Sequence, residues 1–157
     1  MPGTRRALFV DWGGTLALTE NNRTVVDAAG HPSAHAERRR HAGAPSVSAS
    51  HVCFIASNQA RISRGEISLG EVYRRFAWAD AQLGGPFTDW RLCPHGDEHG
   101  CGCRKPRPGM FLELADLHGV DLRASTHVGD SERDRRGAAS AGIGTFVWAR
   151  DFFGWVG

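Results

Sequence analysis

Residues 7–11, Ala-Leu-Phe-Val-Asp, run directly into Trp12-Gly13-Gly14. A short apolar run stopped by two glycines reads as a buried strand that ends in a loop. The pattern recurs at His51-Val-Cys-Phe-Ile-Ala-Ser57, and further strands are predicted at 89–93, 125–129 and 144–149. Helical signals fall between them. Ser68-x-x-Glu71 is a capping box, and Leu69, Val72, Tyr73, Phe76 and Leu83 recur at helical spacing before Gly84-Gly85. Pro108 opens and Gly119 closes a second helix, and a small-residue helix is expected over 132–141. The polar segment 17–50 reads as loop with one short helix near 33–42. Strands separated by helices predict an α/β fold, a Rossmann-like, doubly wound, mostly parallel sheet. Ligands in such sheets bind beyond the carboxyl ends of the strands, where Asp11, Ser57-Asn58 and Asp130 all fall.

The 157 residues amount to one domain, expected to span 1–157. Hydrophobic residues at 41% and charged residues at 23% exclude wholesale disorder and collagen-like repeats. A net charge of +2 does not favour nucleic acid as the partner, although Arg38-Arg-Arg40 would suit a phosphate backbone. No apolar run is long enough to span a membrane, and Met1–Arg6 leads into too short a segment for an export signal. A reducing, cytoplasmic setting is therefore expected. Of the 19 basic residues, 18 are arginine and one, Lys105, is lysine.

Cysteines fall into two groups. Cys53 sits in an apolar strand and reads as a small buried hydrophobe. The segment Cys93-Pro-His-Gly-Asp-Glu-His-Gly-Cys-Gly-Cys103 crowds three thiols and two imidazoles, which in a reducing compartment reads as a metal site before it reads as disulfides. Four closed ligands suit structural Zn²⁺. Cys93, His95, Cys101 and Cys103 are the expected set, with His99 as the substitute for His95.

Asp11 and Asp130 offer hard oxygens for Mg²⁺, while Lys105 and Ser57 suit phosphoryl oxygens. In this light four ordered segments resemble the haloacid dehalogenase (HAD) superfamily, in the IIIA class that includes histidinol-phosphatase and the heptose-bisphosphate phosphatases. They are Asp11-Trp-Gly-Gly-Thr-Leu16, then Ser57-Asn-Gln59 with Arg64-Gly65, then Cys103-Arg-Lys-Pro-Arg-Pro-Gly109, then Gly129-Asp-Ser-Glu-Arg-Asp134. The resemblance implies a phosphatase with Asp11 as nucleophile, forming an aspartyl-phosphate. It implies Mg²⁺ on Asp11, Asp130 and the carbonyl of Gly13, with Ser57 and Asn58 on the phosphoryl group and Lys105 balancing its charge. Asp134 would support Lys105 or a metal-bound water, and Arg104 and Thr15 would contact a small phosphorylated substrate, a sugar phosphate. The zinc loop before the third motif marks the heptose-phosphatase branch.

The family's first motif carries a second aspartate that moves the proton, and here that position is Gly13. Atypical acid–base catalysis is the expected result. A nucleic-acid 3′-phosphatase and a catalytically impaired relative that binds a phosphorylated ligand are the alternatives. Neither gap between motifs is long enough for a cap domain, which leaves the zinc loop and segment 17–50 to shape specificity. The terminal Phe152-Phe-Gly-Trp155 reads as a tail docked on the core.

Overall fold

The computed structural model describes residues 3–21, 23–33 and 51–153. Its centre is a five-stranded sheet in the order β5-β4-β1-β6-β7, built from β1 (Arg6–Val10), β4 (His51–Asn58), β5 (Phe87–Cys93), β6 (Thr126–Gly129) and β7 (Thr145–Trp148). Every pairing is parallel, with Arg6 opposite His51 and Val10 opposite both Ile55 and Val128. Parallel neighbours need crossovers. Helices α1 (Leu69–Gln82), α2 (Gly109–His118) and α3 (Glu132–Ala141) provide those that follow β4.

The alternation in the quoted strand assigns its two faces. Phe9 and Ala7 join Phe54, Phe111, Leu114 and Ala138 on the side of α2 and α3. Val10 joins Ile55, Val72 and Phe76 on the side of α1. A strand buried on both faces reads as a continuous apolar run, and Ala7–Val10 is one. Phe76 lies on α1 between Trp12 at 4.9 Å and Trp90 at 6.2 Å between ring centres, and burying such a ring is worth roughly 1.5–3 kcal/mol. Cys53 is buried on the same side, and that burial pushes its thiol up to about 12, out of reach of nucleophilic chemistry.

Helix starts follow their caps. The Ser68 hydroxyl accepts the Glu71 amide at 3.1 Å, and Ser131 opens α3 in a reciprocal box with Asp134. Helix α2 closes on Gly119 in the left-handed conformation.

The structure departs from the sequence reading in two places. Segment 17–33 is not all loop, because β2 (Thr19–Glu20) and β3 (Arg23–Thr24) pair antiparallel, and the Trp12 indole donates to Thr24 Oγ1 at 3.0 Å to fasten the hairpin to the core. Strands this short carry no legible alternation. Second, β7 stops at Trp148 and the chain turns into the short helix α4 (Ala149–Phe153), whose Phe153 is buried in the α1-side core. Residues 34–42 of the expected helix, the Arg38–Arg40 run and Trp155 lie outside the described residues. Among the described residues no helix is long and apolar enough to cross a membrane.

Candidate active site and metal cluster

Asp11 follows the last residue of β1, and its amide donates to Val128 O at 3.0 Å, which fixes it against the neighbouring β6. The chain then coils tightly, with the amides of Thr15, Leu16 and Ala17 all directed at Trp12 O. Gly14 has φ +74°, and a Cβ there would collide with the Asp130 carboxylate, so glycine is required for the loop to close over Asp130. Oxygens of Asp11, Asp130 and Asp134 lie within 4.8 Å of one another.

Lys105 is the hub of this cluster. Its ammonium donates to Asp134 Oδ1 at 2.6 Å, Ala56 O at 2.7 Å and Asp11 Oδ1 at 2.9 Å, which uses each of its three protons once. The side chain is 2% exposed. Burial opposes its charge, but Asp11 and Asp134 hold the ammonium above its usual range. Asp134 is saturated on both oxygens: Oδ1 faces Lys105 and His127 Nε2, while Oδ2 accepts the amides of Asp130 and Ser131 and the Ser131 hydroxyl. Burial works against this carboxylate too, and Lys105 and His127 overcome it, keeping Asp134 well below the ordinary carboxylate range.

Asp11 and Asp130 shift the other way. Burial, reinforced by the charge of Asp134, pushes both carboxyls up despite Lys105. Three carboxylates converge on one ammonium, so the cluster lacks positive charge. Hard oxygens at that spacing with unmet negative charge fit a divalent cation such as Mg²⁺.

These groups open on a cleft of about 490 Å³ lined by Asp11, Gly13, Ser57, Asn58, Arg104, Lys105, Asp130 and Asp134, among others. The fold thus brings together every predicted phosphate-site residue except Thr15, which is wholly buried and does not line the cleft. Asn58 borders it with its amide committed elsewhere: Nδ2 donates to Lys105 O at 3.0 Å and Oδ1 accepts from Lys105 N at 2.9 Å. Its evident task is to clamp the main chain beneath the ammonium. Ser57 is buried and accepts from Gln59 Nε2 at 2.9 Å. Arg104 is tied back to Asp97 Oδ1 at 2.8 Å, and Arg133 reaches the same carboxylate at 2.9 Å.

Several lining residues escape the sequence reading. Arg75 arrives from α1, Arg61 from the turn after β4, and Thr19 and Thr24 from the hairpin. His127 is wholly buried behind the cleft, its Nδ1 3.0 Å from Phe9 O and its Nε2 3.1 Å from Asp134 Oδ1. A polar residue at an inward-facing position of a buried strand is the signal that would have singled it out.

The cysteine loop gathers as expected. Cys93 Sγ lies 3.4 Å from His95 Nδ1, 3.5 Å from Cys101 Sγ and 2.8 Å from Cys103 Sγ, and Cys103 Sγ is 3.4 Å from His95 Nδ1. Tetrahedral bonds of ~2.3 Å would set ligand atoms roughly 3.8 Å apart. Three thiols and an imidazole, all within 4.8 Å of one another, are a donor set that suits zinc with a slight opening of the Cys93–Cys103 contact. His99 is occupied elsewhere, accepting the Gly96 amide at 2.9 Å, which leaves the fourth position to His95.

Comparison with known proteins follows the same lines. A family model described as HAD-hydrolase-like matches residues 102–152. The D-glycero-beta-D-manno-heptose-1,7-bisphosphate 7-phosphatase of Bordetella bronchiseptica is 42% identical over 96 residues, 59% of this chain and 54% of the relative. The enzyme of that name from Vibrio cholerae is 36% identical over 110 residues, 64% of this chain and 59% of the relative. The chain thus matches little more than half the length of these curated relatives. The crystal structure of D,D-heptose 1,7-bisphosphate phosphatase from B. bronchiseptica, complexed with magnesium and phosphate, superposes with a TM-score of 0.77 at 29% identity, covering 89% of this chain and 78% of that one.

Proposed function

We propose that the chain is a magnesium-dependent phosphatase built on a HAD-like hydrolase core, and that it cleaves a small sugar phosphate through an aspartyl-phosphate on Asp11. The observation that carries this reading is the placement of Asp11 and Asp130 at the carboxyl ends of neighbouring strands, with Lys105 hydrogen-bonded to Asp11 beside them. Asp11 attacks phosphorus while Lys105, held by Asn58 and Asp134, offsets the negative charge that builds on the phosphoryl oxygens. Ser57 and Arg104 border the space where those oxygens would lie. Magnesium on Asp11, Asp130 and the Gly13 carbonyl would cancel repulsion between an anionic nucleophile and an anionic substrate. The names of the relatives supply the sugar-phosphate class. We read the chain as one such core without a cap, its specificity shaped by the hairpin, the metal loop and the arginines of the cleft.

Phosphate release from a panel of sugar phosphates is expected to require added magnesium and to stop on chelation. Release indifferent to magnesium would overturn the proposal.

Zinc is assigned to Cys93, His95, Cys101 and Cys103, in a structural role. The loop lies between β5 and Lys105, and Cys103 precedes Lys105 by two residues, so ordering it also places the ammonium. Zinc is worth ~10–16 kcal/mol of apparent binding in zinc-finger peptides, ample to order a loop with little core of its own. Cys103→Ser is expected to abolish bound zinc by elemental analysis and to lower phosphate release, while Cys53→Ser leaves the zinc content unchanged. Equal zinc in both variants would remove the assignment.

A further inference from the structure

We propose that the phosphoryl donor best suited to this cleft is one whose leaving group departs as a stable anion, an acyl phosphate, and that the aspartyl-phosphate formed from it accumulates because its hydrolysis is the slow step. The inference rests on the reading of Asp11 as nucleophile and adds that sugar phosphate esters are turned over on the same aspartate more slowly than an acyl phosphate.

It starts from what borders the reacting atoms. Position 13 has no side chain, and a Cβ built there would face only the Thr19 methyl, at 3.1 Å. Among the described residues that line the cleft, the carboxylates are Asp11, Asp130 and Asp134, and no histidine is present. Asp11 is consumed in the aspartyl-phosphate. Asp134 has both oxygens filled by donors. Asp130 points at the Gly14 backbone and belongs to the proposed metal set. Lys105 has its three protons on Asp11, Asp134 and Ala56 O. The remaining charged groups, Arg61, Arg64, Arg75, Arg104 and Arg133, are guanidiniums, which stay protonated at neutral pH. They donate hydrogen bonds and do not exchange protons. Outside the proposed metal set and the hydrogen-bonded Lys105–Asp134 pair, no side chain described in the cleft is placed to give up or accept a proton near pH 7.

The two half-reactions feel this lack differently. When an alkyl phosphate reacts, the Asp11 O–P bond forms and the P–O bond to the alcohol breaks, and the electron pair goes to an alkoxide that needs a proton. When an acyl phosphate reacts, the same bond forms, but the pair leaves on a carboxylate that needs none. A guanidinium fork suits that departing carboxylate. In the second half-reaction a water oxygen bonds to phosphorus, the Asp11 O–P bond breaks and Asp11 leaves as carboxylate. The water must still lose a proton, with no base beside it. General acid–base assistance is typically worth ~10²–10⁴-fold, so an acyl donor loads Asp11 quickly and water unloads it slowly.

The test uses the magnesium-loaded, zinc-replete chain with acetyl phosphate, quenched in acid and weighed intact. The expected result is a mass gain of one phosphoryl group, labile to hydroxylamine and absent in Asp11→Asn, with little gain from a sugar phosphate ester. Gly13→Asp is expected to discharge the adduct and to speed ester turnover by ~10²–10⁴-fold. The adduct is read on the unaltered chain, so the result does not depend on how the variant folds. Rapid acetyl phosphate hydrolysis that needs Asp11 but shows no adduct would overturn this inference and leave the proposed function standing. Release that is the same in Asp11→Asn would remove both.

Discussion

Asp11→Asn is expected to abolish magnesium-dependent phosphate release while leaving the melting temperature of the metal-free protein unchanged or higher. The loss of activity follows from the loss of the attacking oxygen. The stability half follows from the charge balance of the cluster. Burial and the charges of Asp134 and Asp130 push the Asp11 carboxyl up, so its ionised form is disfavoured in the fold. For a group whose folded pKa is raised, the stability contribution is complete below the ordinary carboxylate pKa and is lost as pH rises through the folded value. At neutral pH the ionised Asp11 is therefore a liability in the metal-free protein, and a neutral amide relieves it. Lys105 keeps its 2.6 Å contact to Asp134 and its 2.7 Å contact to Ala56 O, so its charge is not stranded. Magnesium reverses the order. A ligand that binds only the folded state stabilises it in proportion to RT ln(1 + [L]/Kd), and the parent, with its full set of oxygens, gains more than the variant. Thermal unfolding with and without magnesium, run beside a phosphate-release assay, reads both halves. A variant that melts far below the metal-free parent would show that Asp11 is a structural anchor, and one that still releases phosphate would show that the nucleophile lies elsewhere.

What the sequence makes legible is whatever rests on short-range pattern. Ala7–Val10 is a continuous apolar run, and such runs with helical signals between them are enough to predict the parallel sheet and to place Asp11, Ser57, Asn58 and Asp130 at one edge. The cysteine loop was legible for a related reason: its ligands crowd into eleven residues, and only the choice between His95 and His99 needed a three-dimensional answer. Roles set by long-range contact were not legible. Asn58 faces Lys105 across 47 positions, and only that approach shows its amide gripping a peptide. Thr15 is adjacent in sequence to groups of the cleft, yet the tight coil after Trp12 turns it into the interior. The β2–β3 hairpin depends on a bond from Trp12 to Thr24, a tertiary contact that two-residue strands do not announce.

Lys105→Met is expected to lower stability by about 3–5 kcal/mol, the range found when one partner of a buried ion pair is removed, and to eliminate phosphate release. Methionine matches the length of the stem but leaves Asp134, 1% exposed, facing Asp11 with no ammonium between them. Lys105→Arg separates charge from shape. The lysine stem packs on α3, where a Cβ on Gly137 would come to 3.4 Å from Lys105 Cγ, so there is little width to spare. Three acceptors surround a tetrahedral head, and a planar fork presents its protons in one plane and carries two further N–H groups that would need partners in a buried site. The arginine variant should therefore keep the net charge, lose less stability than the methionine variant, and still release phosphate much more slowly than the parent. In a chain whose other 18 basic residues are all arginine, this is the position where the exchange is predicted to fail. Pairing Lys105→Met with Asp134→Asn distinguishes a hub from a bystander: removing the stranded carboxylate should make the double variant less destabilised than the sum of the singles, whereas simple additivity would mean that the two groups do not depend on each other.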